Sequence, residues 1–157
     1  MGNMGDFAIY SFPKMFPVQF GGLLITGKKN KVFADDILSG MRLRYVKNVL
    51  SHYIIQKDSI VAKRMENYIY LRNKLNTIGF EERFALNEHH VPGVYIFRAK
   101  NENVNLPLLK DYLNAHGIQC SVFYGEQAFF IPVHQNLTKT DLDYFTEVIR
   151  SFTKQAE

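Results

Sequence analysis

The sequence predicts an α+β protein: a small antiparallel, or mixed, sheet with helices packed on one face, preceded by a β-hairpin and a long helix. Three observations carry this. Short apolar runs bounded by glycine and proline open the chain, at Phe7–Phe12 and Gly21–Thr26. Apolar residues at helical spacing fill the stretch from about Asp35 to Ile78, and strand and helix signals alternate from about Glu81 to the end.

In the first segment, Phe7–Phe12 and Gly21–Thr26 read as two strands joined by a rigid loop. Pro13 and Pro17 fix the backbone on either side of Lys14 and Met15. Gly21-Gly22 lets the second strand begin where a side chain would obstruct close approach. In the helical stretch, Val46, Val49, Leu50 and Tyr53 make one apolar stripe, and Val61, Met65, Ile69 and Leu75 make another. Two helices or one bent helix fit, with Asp58-Ser59 as the N-cap of the second and Gly79 as its stop.

Further on, Pro92-Gly93 opens a strand over Val94–Arg98, and Leu106–His116 is a helix closed by Gly117. Ile118–Phe123 and Ala128–Val133 are strands split by the turn Tyr124–Gln127. A final amphipathic helix carries Leu142, Phe145, Val148, Ile149 and Phe152 on one stripe and starts at Thr138 or Thr140 with acids behind it.

Composition narrows the function. With 157 residues, 46% hydrophobic and 22% charged, the chain has enough apolar matter for one real core. Its apolar runs fall far short of the roughly 20 residues that span a bilayer, and Met1–Asp6 has neither the basic opening nor the apolar core of a secretory signal. No membrane span and a cytoplasmic location are expected. The single cysteine, Cys120, has no intrachain partner and sits in an apolar run, which reads as a structural thiol.

The net charge of +4 comes mostly from Lys28–Lys31 and Met41–Arg72 and accompanies no nucleic-acid motif, so it reads as solvated charge with no nucleic-acid partner. Tyr95, Phe97, Phe123, Tyr124, Phe129 and Phe130 alternate with small or aliphatic residues and lack interleaved cations, which favours a sheet core over a base-stacking platform. His89 and His90 are adjacent, so in a strand they point to opposite faces and no metal site is expected.

Lys14 is the residue through which chemistry would run. By its neighbours alone it is either a solvated surface lysine or an amine held well enough to condense with a carbonyl cofactor. The surrounding string, Gly5-Asp6-Phe7-Ala8-Ile9-Tyr10-Ser11-Phe12-Pro13-Lys14 and then Gly21-Gly22-Leu23-Leu24-Ile25-Thr26, resembles the lysine strand of the DegT/StrS family of pyridoxal-phosphate-dependent sugar aminotransferases. The segment Phe129–Thr138 with the helix through Ile149 is similar to that family's closing strand, Pro-x-His turn and last helix.

The resemblance implies that Lys14 anchors pyridoxal phosphate covalently and shuttles protons, and that Ser11 contacts the cofactor phosphate. It places His134 near the substrate side, whereas a turn histidine by default hydrogen-bonds locally. The complete enzyme would move an amino group from glutamate to a keto-sugar nucleotide. Residues 1–40 would be a remnant of the large cofactor domain, and residues 41–157 the C-terminal small domain. In the family, the phosphate-binding turn and the aspartate of the ring nitrogen precede the lysine strand by many residues. Thirteen residues precede Lys14, so this chain alone is expected not to transaminate. The alternative is a noncatalytic self-associating module, a homodimer through the apolar surface of Phe20, Leu23, Leu24 and Ile25.

Overall fold

Two short apolar runs make the first element. In the computed structural model, which describes residues 5–27, 40–100 and 104–155, β1 (Phe7–Ser11) pairs antiparallel with β2 (Gly22–Thr26) in a continuous register from Phe7 opposite Thr26 to Ser11 opposite Gly22. A Cβ on Gly22 would stand 2.6 Å from the Tyr10 carbonyl oxygen, so only glycine fits there. Gly21 has φ +108°, and a Cβ on it would crowd Val46 at 3.1 Å. Val46 is the buried residue of α1 (Gly40–Tyr53), with Val49, Leu50 and Tyr53 of the same stripe half-buried.

The chain divides into two compact units, Met1–Asp58 and Ser59–Glu157. The hairpin and α1 belong to the first. A 3-10 turn over Ile54–Gln56 leads into α2 (Lys57–Asn76). The helix thus starts ahead of the expected cap, and Asp58 lies in its first turn, where a carboxylate complements the helix dipole. Gly79, with φ +89°, ends the turn that follows α2, as expected of it.

In the second unit a four-stranded antiparallel sheet has the order β3–β4–β6–β5, from β3 (Phe80–Glu82), β4 (Val94–Ala99), β5 (Ser121–Phe123) and β6 (Ala128–Pro132). Tyr95 lies opposite Ile131 and Phe97 opposite Phe129, so the fully buried members of both central strands share one face. Onto that face pack Tyr68, Leu71 and Leu75 of α2, Leu109 and Leu113 of α3 (Leu106–Ala115), and Leu142 and Ile149 of α4 (Lys139–Gln155). The aromatics Tyr95, Phe97 and Phe129 are core, as their alternation indicates, whereas Phe123 and Tyr124, read with them as core, are exposed at the sheet's edge strand and turn. The result is the α+β arrangement expected, with one sheet face covered by helices.

Further details differ from the sequence reading. β3 has no counterpart in it, and the strand expected over Ile118–Phe123 is reduced to three residues. The buried face of α2 is Ile60, Arg64, Asn67, Tyr68, Leu71 and Leu75, one residue out of step with Val61, Met65 and Ile69. The cause is that two polar side chains occupy the inward face. Asn67 Nδ2 donates to the carbonyls of His134 (2.9 Å) and Leu137 (3.4 Å), and Arg64 Nε donates to Gln135 Oε1 (2.9 Å). Among the described residues no helix is long and apolar enough to cross a membrane.

Candidate functional site

β1 ends at Ser11, and the chain turns at once into a 3-10 turn over Phe12–Lys14. Pro13 presets the backbone at its second position. The Met15 and Phe16 amides both donate to the Phe12 carbonyl, at 3.0 and 2.9 Å, while the Phe12 amide donates to Gly21 at 3.2 Å. Phe16 and Val18 are buried just beyond. The backbone under Lys14 is therefore tied on both sides, to the hairpin behind it and to buried apolar anchors ahead. Lys14 itself is exposed at the tip of this braced turn, and Ser11 is exposed three residues before it, its hydroxyl making no capping bond to the turn. A primary amine on a fixed backbone is a nucleophile toward a carbonyl compound.

His134 belongs to the other unit. It is half-buried in the turn after β6, where its carbonyl accepts from the Leu137 amide at 3.1 Å as well as from Asn67. Burial holds its imidazole below the ordinary histidine pKa, the Arg64 charge pushes the same way, and Asp141 opposes both. Asp141 in turn accepts from the Thr138 amide (2.8 Å) and hydroxyl (2.7 Å), while its own amide donates to Thr138 Oγ1 at 3.2 Å. This reciprocal cap starts α4, which settles the start signal on Thr138 rather than Thr140. Its carboxyl is held below the usual range by those bonds.

The structure thus brings Lys14 and Ser11 onto one strand and turn and sets His134 in a separate cluster. Sequence reasoning missed the companions of His134, namely Arg64, Asn67 and Gln135. The available signal was a helix whose inward positions include an arginine and an asparagine, which are buried only when hydrogen-bonded. Cys120 is half-buried, with its thiol pushed up to about 11 by desolvation, and behaves as a structural residue. His90 Nδ1 accepts from the Asn87 amide at 3.3 Å. Among the described residues no three His, Cys, Asp or Glu side chains gather as a metal site.

A groove of about 840 Å³ lies where the end of β4, the β5–β6 turn and the start of α3 meet. Its charged side chains already have partners: Arg98 pairs with Glu81 at 2.7 Å, Lys100 donates to the neutral Asn76 Oδ1 at 2.6 Å, and Glu126 pairs with Arg83.

No family model and no curated protein matches the sequence. Solved structures match its fold. The aminotransferase TlmJ from Streptoalloteichus hindustanus superposes with a TM-score of 0.79 at 15% identity, covering 99% of this chain and 54% of that one. The PLP form of the sugar aminotransferase Spr1654 from Streptococcus pneumoniae gives 0.69 at 15%, covering 99% and 54%. A DegT DnrJ EryC1 StrS aminotransferase from Brucella abortus gives 0.69 at 16%, covering 94% and 51%. The chain spans about half the length of these structures. Several of its structural neighbours are sugar aminotransferases of the type that its sequence resembles, another is a NifS-like protein with a TM-score of 0.76 at 14% identity, and at these identities what they share with it is the fold.

Proposed function

We propose that this chain is the C-terminal portion of a pyridoxal-phosphate-dependent sugar aminotransferase, with Lys14 as the covalent anchor of the cofactor. The observation that carries the reading is the braced turn presenting Lys14 between β1 and the Gly21-Gly22 start of β2, in a fold shared with aminotransferases over nearly the whole chain. Residues 1–40 would be the remnant of the large cofactor domain and residues from Met41 onward the small domain. The substrates of the complete enzyme would be glutamate and a keto-sugar nucleotide, met in the cytoplasm.

Pyridoxal phosphate, when bound, acts as an electron sink for the carbon that carries the amino group. What this chain contributes is an amine to hold it and a base to move a proton. The turn holds the Lys14 backbone still, so the flexible side chain can stay attached or swing free without disturbing the hairpin. Ser11 Oγ, unused by the turn, is available to a phosphate oxygen. His134, kept neutral by burial beside Arg64, would offer a hydrogen bond on the substrate side rather than a charge.

The ring nitrogen needs a carboxylate and the phosphate needs several donors. The lysine turn itself supplies an amine and a hydroxyl, so those partners would come from a cofactor domain outside this chain, and the chain by itself would be inactive. The test is to add pyridoxal phosphate, reduce with borohydride and map the modified lysines by mass spectrometry. Modification concentrated at Lys14 and lost in Lys14→Ala is the expected result; modification spread evenly over Lys47, Lys57 and other surface amines would defeat the proposal.

A second reading, a noncatalytic self-associating module, is favoured by one observation. Phe7, Ile9, Leu23, Leu24 and Ile25 are large apolar side chains left exposed on a two-stranded sheet.

A further inference from the structure

The inward side chains of the four-stranded sheet are hydrocarbon except at one corner. Glu82 lies opposite the buried Phe97, so the last residue of β3 shares the helix-covered face. Tyr68 of α2 meets it there: its hydroxyl donates to Glu82 Oε1 and stands 3.4 Å from the Phe84 carbonyl. The Arg72 guanidinium is 4.0 Å from Oε2, near enough to balance the charge and too far for a hydrogen bond.

Tyr95 of β4 sets its ring edge-on to that of Tyr68, with centroids 5.1 Å apart, and is 0% exposed. Its hydroxyl nevertheless has no hydrogen-bond partner among the described residues. Buried hydroxyls are almost always bonded, because leaving one unpaired forfeits its hydration for nothing. With no surface open, Tyr95 is out of reach of any side chain from another domain or a second copy. Whatever meets its hydroxyl is small enough to sit inside this unit. Burial, and then the Glu82 charge, push the phenol well above the ordinary tyrosine range, so it keeps its proton and faces a nearby acceptor as a donor.

We infer that an internal water site lies between the Tyr95 hydroxyl and the Glu82 carboxylate. The water accepts from Tyr95, donates one proton to Glu82, whose carboxylate has lone pairs that Tyr68 leaves unused, and donates the other to the Phe84 carbonyl. That gives it about three hydrogen bonds, the usual number for a buried water. A cation is disfavoured because Arg72 already stands beside the carboxylate. The water joins α2, β3 and β4 in one polar network, which accounts for a three-residue strand holding a glutamate on its inward face. It involves no cofactor and no residue of Met1–Asp58, so it stands or falls apart from the reading of Lys14.

The direct test is a crystal structure of the full chain in which ordered waters are seen. One water within about 2.5–3.0 Å of both Tyr95 Oη and a Glu82 carboxylate oxygen is the expected result. A Tyr95 hydroxyl bonded directly to a protein group, or enclosed by carbon alone, would overturn the inference.

Stability gives a second test that turns on sign. If the hydroxyl were unpaired, Tyr95→Phe would remove a burden and stabilise the chain. Because it is hydrated, Tyr95→Phe should instead raise the unfolding equilibrium constant about tenfold, read from urea titrations with the native circular dichroism unchanged. Glu82→Leu takes away the acceptor, so in that background the same Tyr95→Phe change should leave the constant unchanged or lower it. Stabilisation by Tyr95→Phe in the parent chain, or an equal loss in both backgrounds, would count against the water.

Discussion

Loss of solvent and the nearby Arg64 charge both hold the His134 imidazole below its ordinary pKa, against the weaker pull of Asp141. Folding therefore favours the neutral ring, and the unfolded chain binds the proton first. The contribution to stability is complete above the unfolded value of about 6.5 and is lost as pH falls from there through the folded pKa. Urea midpoints should decline as pH is lowered through that range, and His134→Gln should flatten this arm of the profile; an unchanged slope in the variant would remove His134 as its source. Lys14 illustrates the opposite case at the same scale. Nothing about a lysine between Pro13 and Met15 distinguishes it from a surface residue. It drew attention through the string around it, and the braced turn was visible in advance only as two prolines and a glycine pair.

Among the elements, the β1–β2 hairpin makes the narrowest demand on sequence. An alanine Cβ at position 22 would sit 2.6 Å from the Tyr10 carbonyl, which is backbone and cannot step aside. Gly22→Ala should therefore cost the hairpin about 1–3 kcal/mol, read as faster amide exchange through β1 and β2 with β4 and β6 unaffected. Equal exchange in the two proteins would mean that the strands do not approach as closely as described.

That glycine pair, the strand Val94–Ala99 and the stripe of α4 were legible because each rests on a strong local signal. Such signals are a steric exclusion, strict alternation, or apolar residues at helical spacing with Thr138 and Asp141 at the start. β3 was not. It has three residues, two of them glutamates, and becomes a strand by pairing with β4 while Phe80 enters the core and Glu81 meets Arg98. The inward face of α2 was misjudged because apolar spacing cannot reveal an inward Arg64 or Asn67 whose partners lie about 70 residues away.

Across the whole molecule, burial is unevenly shared. The core cluster from Tyr68 to Ile149 lies entirely in Ser59–Glu157, whereas the described residues of Met1–Asp58 bury only Phe16, Val18 and Val46 among their apolar side chains. Local opening follows local burial. In dilute solution, amides of β4 and β6 should exchange last and those of the hairpin and α1 much sooner; uniform protection along the chain would contradict this division.

The low-burial unit carries the proposed anchor lysine and the exposed apolar side chains of the hairpin, so both are predicted to gain order from what binds them. The high-burial unit has a different safeguard. With Arg64 and Asn67 sunk in its inward side, α2 is keyed like a notched shaft: rolled by one residue, it would leave a guanidinium stranded among hydrocarbons with no carbonyl or amide to meet it. Leucines in both places would bury more apolar surface and remove the notch, so that tighter association of the helix and a single settled orientation would become separate properties.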